Sequence, residues 1–256
     1  MNKPGSAKVS SGHREALVEQ SYWDASYSAI DPNMAAANDP VREWIEAQVP
    51  RSDGERHALE VGCYPGRYLA VLGNLGYTVH GVDLTPRVAN MADAFARMGF
   101  RVGTLAHADF MCHDFPRTYH VVCSFGFIEH FTEWKSVLKR HAQLVAPGGT
   151  LLIETPNFSG PVQGFFHRWL DAENYARHNP AAMDPREWAS LLKENGFEVE
   201  QATWMGRFAF WHDSKGSGLS RRFGFLLLRL LTPVLVRLGD RSRGLSPYAV
   251  LVAKRR

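Results

Sequence analysis

The run Glu60-Val61-Gly62-Cys63-Tyr64-Pro65-Gly66, with Asp83 downstream of it and His130 further on, is where residue type and spacing could do chemistry. Glycines that follow a short apolar strand let backbone approach a ligand closely, and the helix that comes next points its N-terminus at that ligand. A dinucleotide fingerprint GxGxxG starting at Gly62 would need glycine at positions 64 and 67. The chain has Tyr64 and Arg67, so that chemistry is excluded, and no GxxxxGK[ST] phosphate loop occurs elsewhere. Glu60, two residues before Gly62, suits a ligand with a cationic amino group and would repel a pyrophosphate. Asp83 stands twenty-one residues after Gly62, at the end of the next strand, where a carboxylate can accept both hydroxyls of a ribose. A glycine turn alone has a plain tight turn as its alternative. Glu60 and Asp83 in register with it favour a ligand.

These residues need a frame of strands and helices to hold them. From Ala58 the pattern alternates. Strands are expected at 58–61, 77–82, 101–106, 119–124 and 150–154, and helices at 67–75, from Thr85 to about Met98, and at 133–144. Thr85 can cap its helix with Pro86 in the first position. Pro147-Gly148-Gly149 reads as the turn before the fifth strand. Beyond Pro156-Asn157 the chain reads as irregular. It resumes with a capping box at Asp184-Pro185-Arg186-Glu187, a helix to Asn195, a sixth strand at 197–202 and a last strand at 246–254. Alternation with short connections implies a parallel sheet covered on both faces.

S-adenosylmethionine carries an ammonium, a carboxylate and a sulfonium, and it fits Glu60 and Asp83 as a ligand. Leu59 to Gly66 resembles the first motif, E/DxGxGxG, of class I S-adenosylmethionine-dependent methyltransferases, and Val82-Asp83 resembles their second. Ala108-Asp109-Phe110 resembles the segment whose acid contacts the adenine amino group. Val121 to His130 is similar to the fourth-strand motif of the ubiquinone-type O-methyltransferase branch, and Leu144 to Leu151 to the turn before strand five. The resemblance spans about residues 55–157, with a weaker echo to 202 and in the last strand. It implies a Rossmann-like α/β fold: a seven-stranded, mostly parallel sheet with helices on both faces and an antiparallel last strand. An N-terminal helical lid and a C-terminal helical insert add to that sheet. The implied cofactor contacts are Glu60, Gly62, Tyr64, Gly66, Asp83, Leu84, Asp109, Phe110, Ser124 and Phe125. Tyr64 departs from the pattern, which has glycine there; a side chain can crowd the ligand carboxylate or stack beside it.

Methyl transfer from a sulfonium is an in-line displacement, so the enzyme chiefly aligns donor and acceptor. An oxygen acceptor must also lose a proton, and histidine is the usual base. His130, just past the fourth strand, is the first candidate, with a local capping role as its plain alternative. Tyr22, Trp23, His167 and His178 are substrate-side candidates. The aromatic residues Tyr22, Trp23 and Tyr27 either cover the cofactor, where ring faces suit a sulfonium, or pack N-terminal helices on the core.

One domain is expected over residues 21–256, after a polar, flexible arm at 1–20 that lacks the apolar stretch of a signal peptide. Within it lie a lid (21–50), an acceptor-side insert (157–182) and a basic amphipathic insert (206–245). The composition, 45% hydrophobic and 21% charged, is that of a soluble globular chain. Cys63, Cys112 and Cys123 form no CxxC pair, so no metal site or disulfide framework is expected and the cytoplasm is the simplest compartment. From Met205 onward eleven Lys/Arg face two acids, so the tail carries +9 and the rest −6 of a net +3. Phe223, Leu226, Leu227, Leu230, Leu231, Val234, Leu235 and Leu238 follow a helical stripe flanked by arginines, and Pro233 should kink or interrupt it. Such a segment, 219–243, suits the inner face of a membrane and a lipid-linked acceptor. Its alternative is a core-covering or dimer-forming helix, the commoner role of such a stripe. Nucleic acid is not an expected partner, since the basic segment is apolar and carries no reader motif. Nothing in the sequence sets an oligomeric state. The function expected is O-methylation of a hydroxyl on a saccharide, lipid-linked saccharide or related small molecule. The alternatives are an N- or C-methyltransferase of a small metabolite and a non-catalytic S-adenosylmethionine-binding protein.

Overall fold

A computed structural model describes residues 16–213, 218–238 and 240–256. The first fifteen residues of the expected arm lie outside the described residues, as do 214–217 and Gly239 of the expected C-terminal insert. Seven strands form one sheet: β1 (His57–Val61), β2 (Thr78–Asp83), β3 (Val102–His107), β4 (Tyr119–Phe125), β5 (Val145–Pro156), β6 (Phe197–Met205) and β7 (Tyr248–Arg255). Their order is β3-β2-β1-β4-β5-β7-β6. Pairings among the first five are parallel, and β7 runs antiparallel to both β5 and β6. This is the expected sheet. Its strand order reverses between β1 and β4, where a doubly wound sheet opens a crevice at its C-terminal edge.

The central strands are buried on both faces, which is why they read as continuous apolar runs. Ala58, Val121, Cys123, Leu152 and Val250 face one layer, with α2 (Pro40–Gln48), α3 (Leu69–Asn74) and α4 (Met91–Arg97). Leu59, Val61, Val122, Leu151 and Leu251 face the other, with α5 (Trp134–Leu144) and α8 (Pro185–Glu194). Side chains alternate along a strand, so Glu60 and Asp83 both fall on the α3 side, at the C-terminal ends of adjacent strands. Asp39 and Asp184 cap α2 and α8 by accepting backbone N–H groups, each with proline in the first position.

Several elements depart from the sequence pattern. The helix expected after Thr85 is a 3-10 turn over Pro86–Asn90 that passes into α4. Pro147-Gly148-Gly149 is a bulge inside β5, where pairing with β4 shifts register and Gly148 takes φ +70°. The stretch after Pro156 is not irregular. It forms α6 (Pro161–Leu170) and α7 (Ala172–Ala176), and the alternation of Phe165, Phe166, His167 and Trp169 hid the helical period. Another helix, α9 (Leu219–Arg237), runs on through Pro233. Pro233 and Arg229, whose carbonyl loses its helical donor, both face solvent, so water can take the place of the missing N–H.

The apolar stripe of α9 points the opposite way from a core helix. Gly224, Phe225, Leu228, Leu235 and Val236 pack on Phe166, Leu170 and Phe208. A Cβ at position 224 would come within 2.4 Å of Leu170, so glycine lets α9 settle on α6. The outward face carries Leu219, Phe223, Leu226, Leu230, Val234 and Leu238, with Phe223 62% and Leu230 67% exposed. Among the described residues no helix is long and apolar enough to cross a membrane.

Candidate functional site

A cavity of about 290 Å³ opens at the sheet's switch point and is lined by the β1 and β2 turns, the start of β4's loop and the N-terminal segment. Eight of the ten expected cofactor contacts that came from the β1 turn, β2 and the loop at Asp109 reach it: Glu60, Gly62, Tyr64, Gly66, Asp83, Leu84, Asp109 and Phe110. Phe125 lines it as well. Ser124 does not: it is fully buried on β4 and its hydroxyl has no hydrogen-bond partner among the described residues. Alternation turns residue 124 away from the cavity, and Phe125-Gly126-Phe127 form that wall instead.

The glycines of the turn are required by space and by backbone. Gly62 takes φ +70° and Gly66 φ +87°. A Cβ at 62 would lie 2.6 Å from the Phe127 ring, and one at 66 would lie 2.6 Å from Phe95 and 2.7 Å from Met91. Tyr64 resolves its departure from the motif by turning its ring away. Its hydroxyl donates to the Ile30 carbonyl at 2.7 Å and the ring packs edge-on against Tyr27. Its backbone N–H donates to Asp83 Oδ2 at 2.9 Å, while Thr85 N–H donates to Oδ1 at 2.9 Å. Leu84 N–H reaches the same carboxylate, which still keeps acceptor capacity for a ligand hydroxyl. Burial raises the Asp83 carboxyl's pKa, and it pushes that of Glu60 well up, with nearby Asp83 adding to the effect. Glu60 accepts one N–H from Leu69 at the start of α3, and its Oε2 is buried with no partner among the described residues. A cationic ligand group would meet that oxygen. The donor set therefore fits S-adenosylmethionine: an orphaned carboxylate oxygen for the ammonium side and a tethered aspartate for the ribose.

The opposite wall holds His130, at the end of a 3-10 turn, Ile128–His130. Its Nδ1 lies 2.9 Å from the Arg177 carbonyl. A carbonyl only accepts, so Nδ1 carries the hydrogen and neutral His130 keeps a bare lone pair on Nε2. Burial, with His178 and Arg177 nearby, lowers its pKa to about 3, so it is neutral at physiological pH. Trp23 lines the cavity, sits edge-on to His130 at 4.9 Å and stacks with Tyr27 at 5.9 Å. Tyr22, its neighbour in α1 (Gln20–Ser26), points away and bonds Asp213.

The other two histidines do not reach the cavity. His167 is buried on α6, against the Phe158 ring at 3.9 Å, with Nδ1 3.3 Å from Asp171. His178 stands behind His130, ring to ring at 4.6 Å, and donates from Nδ1 to the Asn174 carbonyl at 2.7 Å. Glu129 completes this corner. It is fully buried, burial pushes its pKa well up, and its Oε1 faces His130 Nε2 at 3.9 Å, beyond hydrogen-bond reach. Polar atoms of Glu129, His130 and His178 all lie within 4.8 Å of one another, close enough to share a cation. Cysteine spacing carried no signal of such a group. The signal present was the Glu-His pair itself, placed just past a strand.

Sequence patterning also missed Ile30, Tyr68, Met111, Gly126, Phe127 and Phe131, which complete the cavity wall. They are ordinary apolar or small residues whose role comes only from where the chain folds.

The family described as methyltransferase domain matches residues 16–202. Among curated relatives, a ubiquinone biosynthesis O-methyltransferase from Xanthomonas euvesicatoria pv. vesicatoria is 26% identical over 223 residues, covering 80% of this chain and 89% of that protein. One from Burkholderia orbicola is 31% identical over 194 residues, covering 70% and 82%. Among solved structures, an S-adenosylmethionine-dependent methyltransferase from Archaeoglobus fulgidus superposes with a TM-score of 0.55 at 17% identity, covering 92% of this chain and 99% of that one. Magnesium protoporphyrin IX methyltransferase from Synechocystis PCC 6803, with bound S-adenosylhomocysteine, gives 0.53 at 13%, covering 93% and 94%.

Proposed function

Because the chain belongs to the methyltransferase domain family and is an S-adenosylmethionine-dependent enzyme, we propose that it methylates a hydroxyl on a saccharide, a lipid-linked saccharide or a related small molecule. The observation that carries this reading is the pairing, across one cavity, of Glu60 and Asp83 with a histidine whose free lone pair is fixed by its tautomer. The relatives' names support an oxygen acceptor.

In this reading bound S-adenosylmethionine supplies a methyl group already activated by the positive sulfur. Glu60 faces the ammonium, Asp83 accepts from the ribose, and Asp109 and Phe110 flank the adenine. The faces of Trp23 and Tyr27 exclude water around the sulfonium. His130 Nε2 takes the acceptor's proton as the oxygen attacks, and a base held this far below neutrality contributes at the low end of the general-base range, about 10²-fold. A second reading of this corner is favoured by the buried Glu129 carboxylate beside the two imidazoles: a divalent cation held by Glu129, His130 and His178 would lower the hydroxyl's pKa instead. Dialysis against a chelator separates the two, since a metal-free mechanism keeps its turnover.

Division of labour along the chain follows. The lid (21–50) contributes α1 over the cofactor while α2 packs in the core, the insert at 157–182 forms the acceptor side, and 206–245 forms a docking element. The outward face of α9 is apolar, flanked by exposed Arg222, Arg229 and Arg237, and free of acids from 218 to 238. That combination suits the anionic inner face of a membrane, from which a lipid-linked acceptor would be presented. Methyl transfer from labelled cofactor to a panel of saccharides, polyprenyl-linked saccharides and prenylated phenols tests the acceptor. Transfer to amines or carbon acids alone would overturn O-methylation.

A further inference from the structure

The lid and the acceptor side meet at a junction that methyl transfer by itself does not explain. The Tyr22 hydroxyl donates to Asp213 Oδ2 at 2.6 Å, and Arg177 Nη2 donates to the same oxygen at 2.6 Å. The Arg177 guanidinium also lies over the Tyr22 ring, 4.3 Å from its centre. Three segments remote in sequence thus converge on one carboxylate oxygen. Asp213 is itself anchored, because its backbone N–H donates to Asp171 Oδ1 at 3.1 Å. Asp171 is fully buried and also receives Asn174 at 2.8 Å.

Arg177 faces two ways. Its side chain grips the lid through Tyr22 and Asp213, and its main-chain carbonyl fixes the tautomer of His130. The lid closes the circuit from the other side. Trp23, next to Tyr22, rests on the His130 ring, and Leu17 N–H donates to the His130 carbonyl at 2.8 Å. An isolated exposed ion pair would contribute little. Here, however, the Arg177 side chain is only 19% exposed, and it is held by an aromatic face as well as by a charge.

We propose that Tyr22, Arg177 and Asp213 form a latch that couples closure of α1 over the cofactor to the placement of His130, so that the base is aligned when the lid is shut. The three are positioning residues, since none of them lines the cavity. The proposal rests on the reading of this cavity as the methyl-transfer site. It adds that site's gating, and it supplies a reason for Asp213, far along the chain, to be bound into the N-terminal segment.

Hydrogen–deuterium exchange of the full chain, alone and with S-adenosylhomocysteine, tests the latch in Tyr22→Phe, Asp213→Asn, the double variant and Asp213→Glu. Asp213→Asn should raise exchange in residues 20–27 about tenfold while β1 to β7 keep wild-type protection. It should also speed S-adenosylhomocysteine release and lower kcat about 3- to 10-fold, with a smaller change in KM for acceptor. Tyr22→Phe should add little on top of Asp213→Asn, because both break one junction. Asp213→Glu should restore part of the protection. Unchanged exchange at 20–27 in Asp213→Asn, or fully additive effects of the two substitutions, would overturn the latch. A wild-type chain that binds no S-adenosylhomocysteine, yet loosens at 20–27 on Asp213→Asn, would keep the latch and remove the methyl-transfer reading.

Discussion

At the cofactor end of the cavity, Gly62 and Gly66 hold positive φ at the edge of the sheet, and Glu60 and Asp83 sit on adjacent strands a few residues away. At the end proposed for the acceptor, His130 takes its orientation from the carbonyl of Arg177, forty-seven residues later, and its cover from Trp23, more than a hundred residues earlier. The first region is built from local backbone requirements that only certain residues meet. The second is built from long-range packing that many sequences could satisfy. A glycine turn must therefore be written into the sequence, whereas a histidine's role is conferred by what folds around it. The two ends should differ accordingly in their tolerance of substitution, and in which function is lost.

The largest effect should come from the glycine turn. Gly66→Val must adopt φ +87° and drive its side chain into Phe95 and Met91. Cofactor binding should fall on the order of 100-fold or more, with a lower melting temperature, as titration calorimetry and thermal unfolding would read. Binding that survived Gly66→Val would erase the contrast between the two ends. Next, His130→Ala should cost about 10²-fold in turnover while S-adenosylhomocysteine binding stays within a few-fold of wild type. Full turnover in that variant would show that the acceptor end needs no base at this position.

A smaller effect belongs to the outer surface. Phe223→Asp with Leu230→Asp places charge on the outward face of α9, so vesicle flotation with anionic lipid should lose the protein. Folding stability should stay within about 0.5 kcal/mol, as exposed substitutions usually do. Equal flotation of variant and wild type would move that face to a second copy of the chain or another protein. A last effect, confined to the pH dependence of stability, concerns Glu154 on β5, whose pKa burial raises to about 8, with Asp39 adding to it. An acid with a raised folded pKa favours the neutral form, so its ionisation destabilises the fold as pH rises from the unfolded value near 4.5 toward 8. Replacing it by glutamine should remove that part of the alkaline loss of melting temperature. Parallel pH profiles for Glu154→Gln and wild type would refute the assignment.

The same contrast explains what the sequence made legible. The alternation of strands and helices and the cavity's cofactor side follow from residues such as Gly62, Asp83 and Tyr119-Val122, whose types are dictated by backbone or burial, whereas the antiparallel last strand came with the family resemblance. Helix α6 was missed because Phe165 lies exposed while Phe166 and Trp169 pack toward α9, so no clean polar face marks its period. The stripe of α9 was legible, but the side it faces was not: Leu228 and Gly224, not the leucines at 226 and 230, are the ones that pack. Ser124 shared a motif with Phe125 but lies on the wrong face of β4. Glu129 left only an adjacent Glu-His pair as its signal, and the Tyr22–Arg177–Asp213 junction depends on segments brought together only by the fold, which no spacing in the sequence encodes.

The most direct test of the whole is calorimetric titration of S-adenosylhomocysteine into the wild-type chain, Asp83→Ala and His130→Ala. The expected result is saturable one-site binding to wild type and His130→Ala, weakened on the order of 100-fold in Asp83→Ala. No binding to wild type, or equal affinity in all three, would contradict the assignment of this cavity to the cofactor.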